Sequence, residues 1–292
     1  MMSFDAIMQV VVSGLLMGLI YALVAAGLSL IFGLMDVVNF AHGELMMVAM
    51  YAAFTLWQVS GLDPIIMLPL VALLMFGIGM AVYRLLISRA LEVRFNKGMV
   101  QIFATFGLAI FIRGFAQFLY GGEFRSVTGT VLANRSWNIA GVYLPLPQLA
   151  AGLICMLAFG VLLVVGRTEF GRALEATRED REAVALIGID KDRIFALGWG
   201  LGVATVGVAG VMLAGFYYVS PNVGTNFALI AYVTVALGGF GSLIGALAAG
   251  VLIGEVEAIT AQLLEPSLKQ VGMFAIYLAV LMFRPRGLFG KI

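Results

Sequence analysis

The sequence predicts an all-α, polytopic membrane helix bundle of eight or nine transmembrane segments with broken or re-entrant helices. Three observations carry that reading. Of 292 residues, 62% are hydrophobic and only 11% are charged, against roughly 25% charged in a soluble domain. So few charges cannot cover the surface of a soluble fold of this length. The apolar residues also come in runs near the roughly 20 that a spanning helix needs. Glycine is abundant, at 36 residues, and small residues let membrane helices approach closely. Length alone allows one or two domains. The runs instead make residues 1–292 a single membrane domain.

The candidate segments are 10–34, 39–59, 65–87, 99–120, 144–165, 194–219, 227–237, 243–264 and 268–283. The first has no Lys or Arg before it and is too long for a signal-peptide core. The seventh is short and runs into Gly238-Gly239-Phe240-Gly241-Ser242, so it reads as broken or re-entrant. Alternate connections hold Arg84, Arg89, Arg94 and Lys97; then Arg167, Arg172, Arg178, Arg181, Lys191 and Arg193; then Arg284, Arg286 and Lys291. These are 13 of the 17 basic residues. The opposite connections hold Arg125 and Arg135, while Arg113 and Lys269 fall within predicted spans. Nine crossings put all 13 on one face. The bias of Lys and Arg toward the cytoplasm then sets the N-terminus outside and the C-terminus inside. Eight full crossings fit that bias less well.

Several function classes drop out. A net charge of +1 gives no reason to expect nucleic acid. One cysteine, Cys155, and one histidine, His42, make neither an internal disulfide nor an ordinary zinc site, so no metal is expected. The glycine block lacks the Lys-Ser/Thr of a phosphate loop and follows a membrane run, so phosphate binding is rejected. There is no Ser/His/Asp arrangement and no ATP-binding motif, so the chain is not read as an enzyme. Any ATPase is a separate chain.

Two connections are long. Residues 121–143 form an external loop with turn residues between β-prone ones such as Ser126-Val127-Thr128, which predicts a small hairpin. Residues 166–193 carry six basic and seven acidic residues. Within them Ala173, Leu174 and Ala176, then Ala183-Val184-Ala185-Leu186-Ile187, are apolar at helix-compatible spacing, and Gly188 is a C-terminal stop. Two short amphipathic surface helices are expected. A solvated loop has no use for the second apolar block; a protein partner does.

Asp36-Val37-Val38-Asn39-Phe40-Ala41-His42-Gly43-Glu44 puts four polar or ionisable groups between two apolar runs. Each charge inside a bilayer costs about 2.5 kcal/mol or more on insertion scales. On a helix, Asn39 and His42 share a face and Glu44 points away. Two readings stay open: a break at the inner mouth of a pathway, or an interfacial turn that caps the next helix. Arg113 needs a partner within the membrane, and Glu255 and Glu257 are the candidates. Gln101, Gln117, Tyr217, Tyr232 and Thr234 either line a pathway or close interhelical hydrogen bonds. The glycines Gly238, Gly239 and Gly241 join Asn39, His42 and Glu44 as candidate pathway residues, since unwound backbone at membrane depth lines a cavity or is buried in protein.

Asn39-Phe40-Ala41-His42-Gly43-Glu44 resembles the signature of the LivH-type permeases, one half of the branched-chain amino acid ABC importers. Phe170-Gly171-Arg172-Ala173 with Ala183 to Ile189, the block 236–242, and Arg284-Pro285-Arg286-Gly287-Leu288-Phe289-Gly290 fit the same family in the same order. The external loop matches nothing. The resemblance implies a bacterial inner-membrane protein without a cofactor of its own. It implies as partners a second related permease, two cytoplasmic ATP-binding subunits that hold ATP and Mg, a periplasmic substrate-binding protein and the lipid bilayer. It makes 175–187 a segment seated in an ATPase groove, with Gly171, Arg172, Glu175, Arg178, Arg181, Ala183, Leu186 and Gly188 as coupling residues. The expected cargo is a branched-chain or other hydrophobic amino acid carried by alternating access, with urea, short amides or aromatic acids as other cargo of such systems. The rival class is an ion-coupled secondary transporter, which would carry its own coupling-ion site near the midplane.

Overall fold

The computed structural model describes residues 4–93, 96–139, 141–180, 183–186 and 188–290. Helices α1 (Phe4–Met35), α2 (His42–Ser60) and α3 (Pro64–Val82) come first. A π turn (Tyr83–Ile87) and α4 (Ser88–Glu92) prolong α3. Then follow α5 (Lys97–Tyr120), a hairpin of β1 (Ser136–Ile139) and β2 (Val142–Pro145), α6 (Leu146–Arg167), α7 (Glu169–Glu179) and the short α8 (Ala183–Leu186). The chain closes with α9 (Lys191–Ala214), α10 (Val223–Gly238), α11 (Leu243–Leu263) and α12 (Lys269–Phe283). Seven helical stretches are long and apolar enough to cross a membrane.

The two ends of the bundle differ in chemistry. At one end lies the hairpin, in antiparallel register Trp137 to Leu144. Gln9, near the start of α1, clasps Tyr143 there, bonding to both its carbonyl and its N–H at 2.8 Å. The opposite end gathers the basic connections. Tyr83 donates to Asp192 across it at 3.0 Å. The C-terminal tail also lies there, its Leu288 and Phe289 N–H groups donating to the Leu237 and Gly238 carbonyls. The tail thus satisfies carbonyls that the end of α10 leaves without a helical partner.

Helices α1 and α9 form the spine. Both are buried along most of their length, and glycine is the reason they can be. A Cβ on Gly250 of α11 would come within 2.5 Å of the Ala22 backbone, and one on Gly18 within 2.8 Å of Val251 Cα. Gly202 meets Gly27 and Ile31 in the same way, and Gly79 of α3 meets Trp199 and Gly200. In a bilayer such contact, and not water expulsion, holds helices together.

Two passes are broken. After Met35 the chain is not helical until His42. His42 Nε2 bonds to the Val24 carbonyl at 2.9 Å, eleven residues before α1 ends, or roughly 16 Å along its axis. Residues 36–41 therefore climb back from the basic end to the middle, and α2 completes the pass. The second break has the opposite sense. After α9 ends at Ala214, residues 215–222 descend from the hairpin end and α10 completes that pass. The predicted segment 194–219 is accordingly one helix only as far as Ala214, and its last five residues belong to the break. Seven single-helix passes and two broken ones make nine among the described residues.

The small hairpin expected within 121–143 forms at its end, over 136–145. Around Ser126-Val127-Thr128 there is no strand; Val127 is buried, and nearby Arg125 makes an isolated bridge to Val219 of the second break. Lys269 opens α12 at the hairpin end, within the span Pro266–Phe283.

Candidate functional site

The two broken passes cross at their helix starts. A Cβ on Gly43 would run into the Gly224 carbonyl oxygen and lie 2.6 Å from Ala228 Cβ. Only glycine lets the first turns of α2 and α10 touch here. The N-termini of both helices, each a partial positive charge, therefore meet halfway through the bundle.

Glu44, in the first turn of α2, places its carboxylate at this junction. Its Oε1 accepts from Thr225 Oγ1 in the first turn of α10 at 3.3 Å. It also accepts from Arg113 Nε of α5 at 3.1 Å and from Arg113 Nη2. The Glu44 side chain is only 2% exposed while that of Arg113 is 36% exposed. A buried carboxylate costs several kcal/mol unless paired. Two helix N-termini offer at most about 2 kcal/mol each in partly buried geometry, and Arg113 supplies the countercharge. The three together offset the cost. The expected partners of Arg113, Glu255 and Glu257, are corrected by this pairing. Glu257 instead accepts from Tyr21 at 2.7 Å and faces Lys269 at 3.8 Å.

The unwound backbone is held by side chains, as membrane depth demands. Tyr232 of α10 donates to the Asn39 and Phe40 carbonyls at 3.2 and 3.0 Å, with its ring against Phe40. Thr105 of α5 donates to the Val38 carbonyl at 3.4 Å. Asn39 Oδ1 accepts from Ala41 N–H at 3.1 Å, an Asx-type turn that starts α2. At the second break Arg125 and Val219 exchange backbone bonds of 2.7 and 2.9 Å. Arg125 also lies over the Phe54 and Tyr120 rings.

The junction retains unused polar capacity. Asn39 Nδ2, His42 Nδ1 and Glu44 Oε2 are buried with no hydrogen-bond partner among the described residues. Buried polar groups are ordinarily satisfied, so such a cluster marks a place for water or a ligand. Beside it Thr225 and Asn226 are exposed on the flank of the bundle at mid-height. Polar groups exposed there need a cavity or another subunit, because lipid cannot hydrogen-bond them.

The structure brings together Asn39, His42 and Glu44. It places Gly238, Gly239 and Gly241 elsewhere, as the α10–α11 turn at the basic end, roughly 20 Å along α10 from the junction. There Gly239 and Gly241 take positive φ of 100° and 77°. Ser242 caps α11 by accepting from Gly245 N–H at 3.0 Å. The expected surface helices are α7 and α8. On α7, Gly171 packs on Gly166, Leu174 is buried, and Arg172 and Glu175 are exposed. Arg178 leans over Gly33 and Gly241. On α8, Leu186 is 90% exposed. Gly188 has φ of 82° and ends the element. Ala183 is in α8; Arg181 and Ile187 lie outside the described residues. Sequence reasoning missed Thr225, Asn226, Thr105 and Arg125. The run Ser220-Pro221-Asn222, polar and proline-broken just before an apolar helix, was the available signal for the second break.

The chain matches the model of a family described as "Branched-chain amino acid transport system / permease component" over residues 10–281. It is 30% identical to the high-affinity branched-chain amino acid transport system permease protein BraD of Pseudomonas aeruginosa, covering 97% of this chain and 96% of that one. It is 30% identical to LivH of Salmonella typhimurium, again over 97% and 96%. A weaker similarity, 28% over 93% of this chain and 68% of the other, links it to the permease protein LivM of the same organism. No solved structure matches.

Proposed function

From the premise that this chain belongs to the branched-chain amino acid transport permease family, we propose that it is one membrane subunit of an ATP-driven importer for branched-chain or other hydrophobic amino acids. The observation that carries the reading is the junction of two broken passes, with the Glu44–Arg113 pair and unsatisfied polar atoms halfway through the bundle. Half-helix N-termini at the midplane are a recurring way for transporters to hold charged substrate groups. An amino acid is a zwitterion, and this junction offers it both signs of charge beside an apolar wall.

In this proposal the basic end faces the cytoplasm of a bacterial inner membrane, in keeping with the bias of Lys and Arg. The N-terminus is then outside and the C-terminus inside. A second related permease covers the α5 and α10 flank that exposes Thr225 and Asn226. Two ATP-binding subunits, holding ATP and Mg, receive α7 and α8, with Arg172 and the exposed Leu186 at the contact. A periplasmic binding protein delivers cargo at the hairpin end. Alternating access follows: ATP-driven motion of α7 is passed to the α10–α11 turn through Arg178, and α10 carries it to the junction.

The test is uptake of radiolabelled leucine into proteoliposomes holding this chain with its partner permease, ATPases and binding protein. Uptake requiring both ATP and the binding protein is expected. ATPase stimulation only by urea, a short amide or an aromatic acid would keep the machine and replace the cargo. Ion-driven uptake by this chain alone would make it a secondary transporter.

A further inference from the structure

At the basic end a cavity of about 160 Å³ lies between α7, the ends of α1, α6 and α9, and the α10–α11 turn. On that measure it has about ten times the room one water needs, which suits a single small amino acid. Its wall is aliphatic, including Leu30, Leu162, Leu174, Leu201 and Leu243. Ser29 lines it from α1; its Oγ is buried and has no hydrogen-bond partner among the described residues. At the mouth stand Glu175 and Arg178, three apart and therefore neighbours on one face of α7. Neither side chain has a hydrogen bond or ion pair within the described structure. The Arg178 guanidinium leans over the cavity, its Nη2 3.0 Å from where a Cβ on Gly241 would sit.

An opposed, unsatisfied charge pair above an aliphatic pocket is the chemistry that recognises a free hydrophobic amino acid. We propose that this cavity is a second binding site, distinct from the junction, for the imported amino acid after its release. Arg178 takes the α-carboxylate, Glu175 takes the α-ammonium, and the aliphatic side chain fills the leucine-lined interior toward Ser29. A lipid acyl chain would match the wall but would leave both charges unused. An occupant bridges α7 to α1, α6 and α9, so it fixes the segment that must move for transport. Accumulated product thereby slows its own import. The inference rests on the proposed cargo and on the basic end facing the cytoplasm.

The experiment is binding of tritiated leucine to the complex of both permeases and ATPases, without the binding protein. Saturable binding is expected, weakened about tenfold by Arg178→Gln and equally by Ser29→Phe, which fills the cavity. Should Ser29→Phe fail to assemble, Leu162→Cys in a Cys155→Ser background serves instead. Leucine is expected to slow its alkylation by maleimide, whereas glutamate is not. Equal alkylation rates with and without leucine overturn the proposal, as does binding that survives both cavity variants. Binding lost only in Arg113→Gln places the leucine at the junction and also overturns it. So does a phospholipid that copurifies in the cavity and is not displaced by leucine. Leucine uptake in proteoliposomes without leucine binding here removes this inference alone; absence of both withdraws the cargo as well.

Discussion

The spine of α1, α9 and α11 and the junction of α2 with α10 both rely on glycine, yet they use it differently. In the spine glycines recur turn after turn: Gly14, Gly18, Gly250 and Gly254 line one α1–α11 seam. Around them, apart from Glu255 beside Gly14, the residues are apolar, and the backbone is unbroken. At the junction close approach is confined to Gly43 and Gly224, and polar Glu44, Thr225 and Arg113 gather beside it. A seam of many small contacts cannot slide without losing all of them together. A single point of contact between two helix ends can open while the helices stay intact. The comparison teaches that the first region is built to hold and the second to change.

The largest effect should therefore come from the spine. Gly250→Leu drives a side chain into the Ala22 backbone, and neither helix can retreat without losing its other contacts. We expect almost no monodisperse protein by size-exclusion chromatography of detergent extracts. A well-folded variant would mean that α1 and α11 slide freely, and the contrast between the regions would fall. Next comes the ion pair. Glu44→Ala strands Arg113, and removing one member of a buried pair costs about 3–5 kcal/mol; the exposure of Arg113 to 36% puts the expectation at the low end or below. The double variant Glu44→Gln/Arg113→Gln should recover most of the lost thermal stability but little of the uptake. Recovery of both would make the pair structural only.

Much of this contrast is legible in the sequence, and the missing part has a physical cause. The spine is visible because hydropathy and glycine content are local. The spans predicted at 99–120 and 243–264 end within about two residues of the helices observed, as expected where frayed ends are the main uncertainty. The polar stretch Asp36 to Glu44 also stands out, because charge in an apolar run is costly wherever it lies. Its depth does not stand out. That follows from the His42–Val24 contact, eighteen residues apart in the chain. The Arg113 partner was misassigned for the same reason: the choice between Glu44, Glu255 and Glu257 depends on which helices are neighbours, and local spacing carries no such information. The glycine block is ambiguous in another way. Positive φ at Gly239 and Gly241 serves a turn between helices, and sequence does not distinguish that use from an unwound pathway.

Smaller substitutions sharpen the junction itself. Gly43→Ala adds one methyl against the Gly224 carbonyl. The two helix ends can part to admit it, since each is continued by non-helical backbone, so the bundle should assemble. Uptake should fall at least tenfold, read in the proteoliposome assay against protein quantified by immunoblot. Loss of assembly in place of uptake would show the junction to be as rigid as the spine.

His42→Ala is the mildest test and separates two roles of the ring. His42 Nε2 ties the start of α2 to the Val24 carbonyl at 2.9 Å, while Nδ1 is buried without a partner in the described structure. If the tie is all that matters, the variant loses one hydrogen bond, worth roughly 1 kcal/mol net. The Val24 carbonyl keeps its helical bond, so no acceptor is orphaned. Thermal stability would then drop by a few degrees and uptake in proportion. We expect uptake to fall by a much larger factor than assembly, because Nδ1 is free to meet water or cargo at the junction. Equal, small losses in both would assign His42 to holding the break in place. The polar capacity of the junction would then rest on Asn39, Glu44 and Arg113.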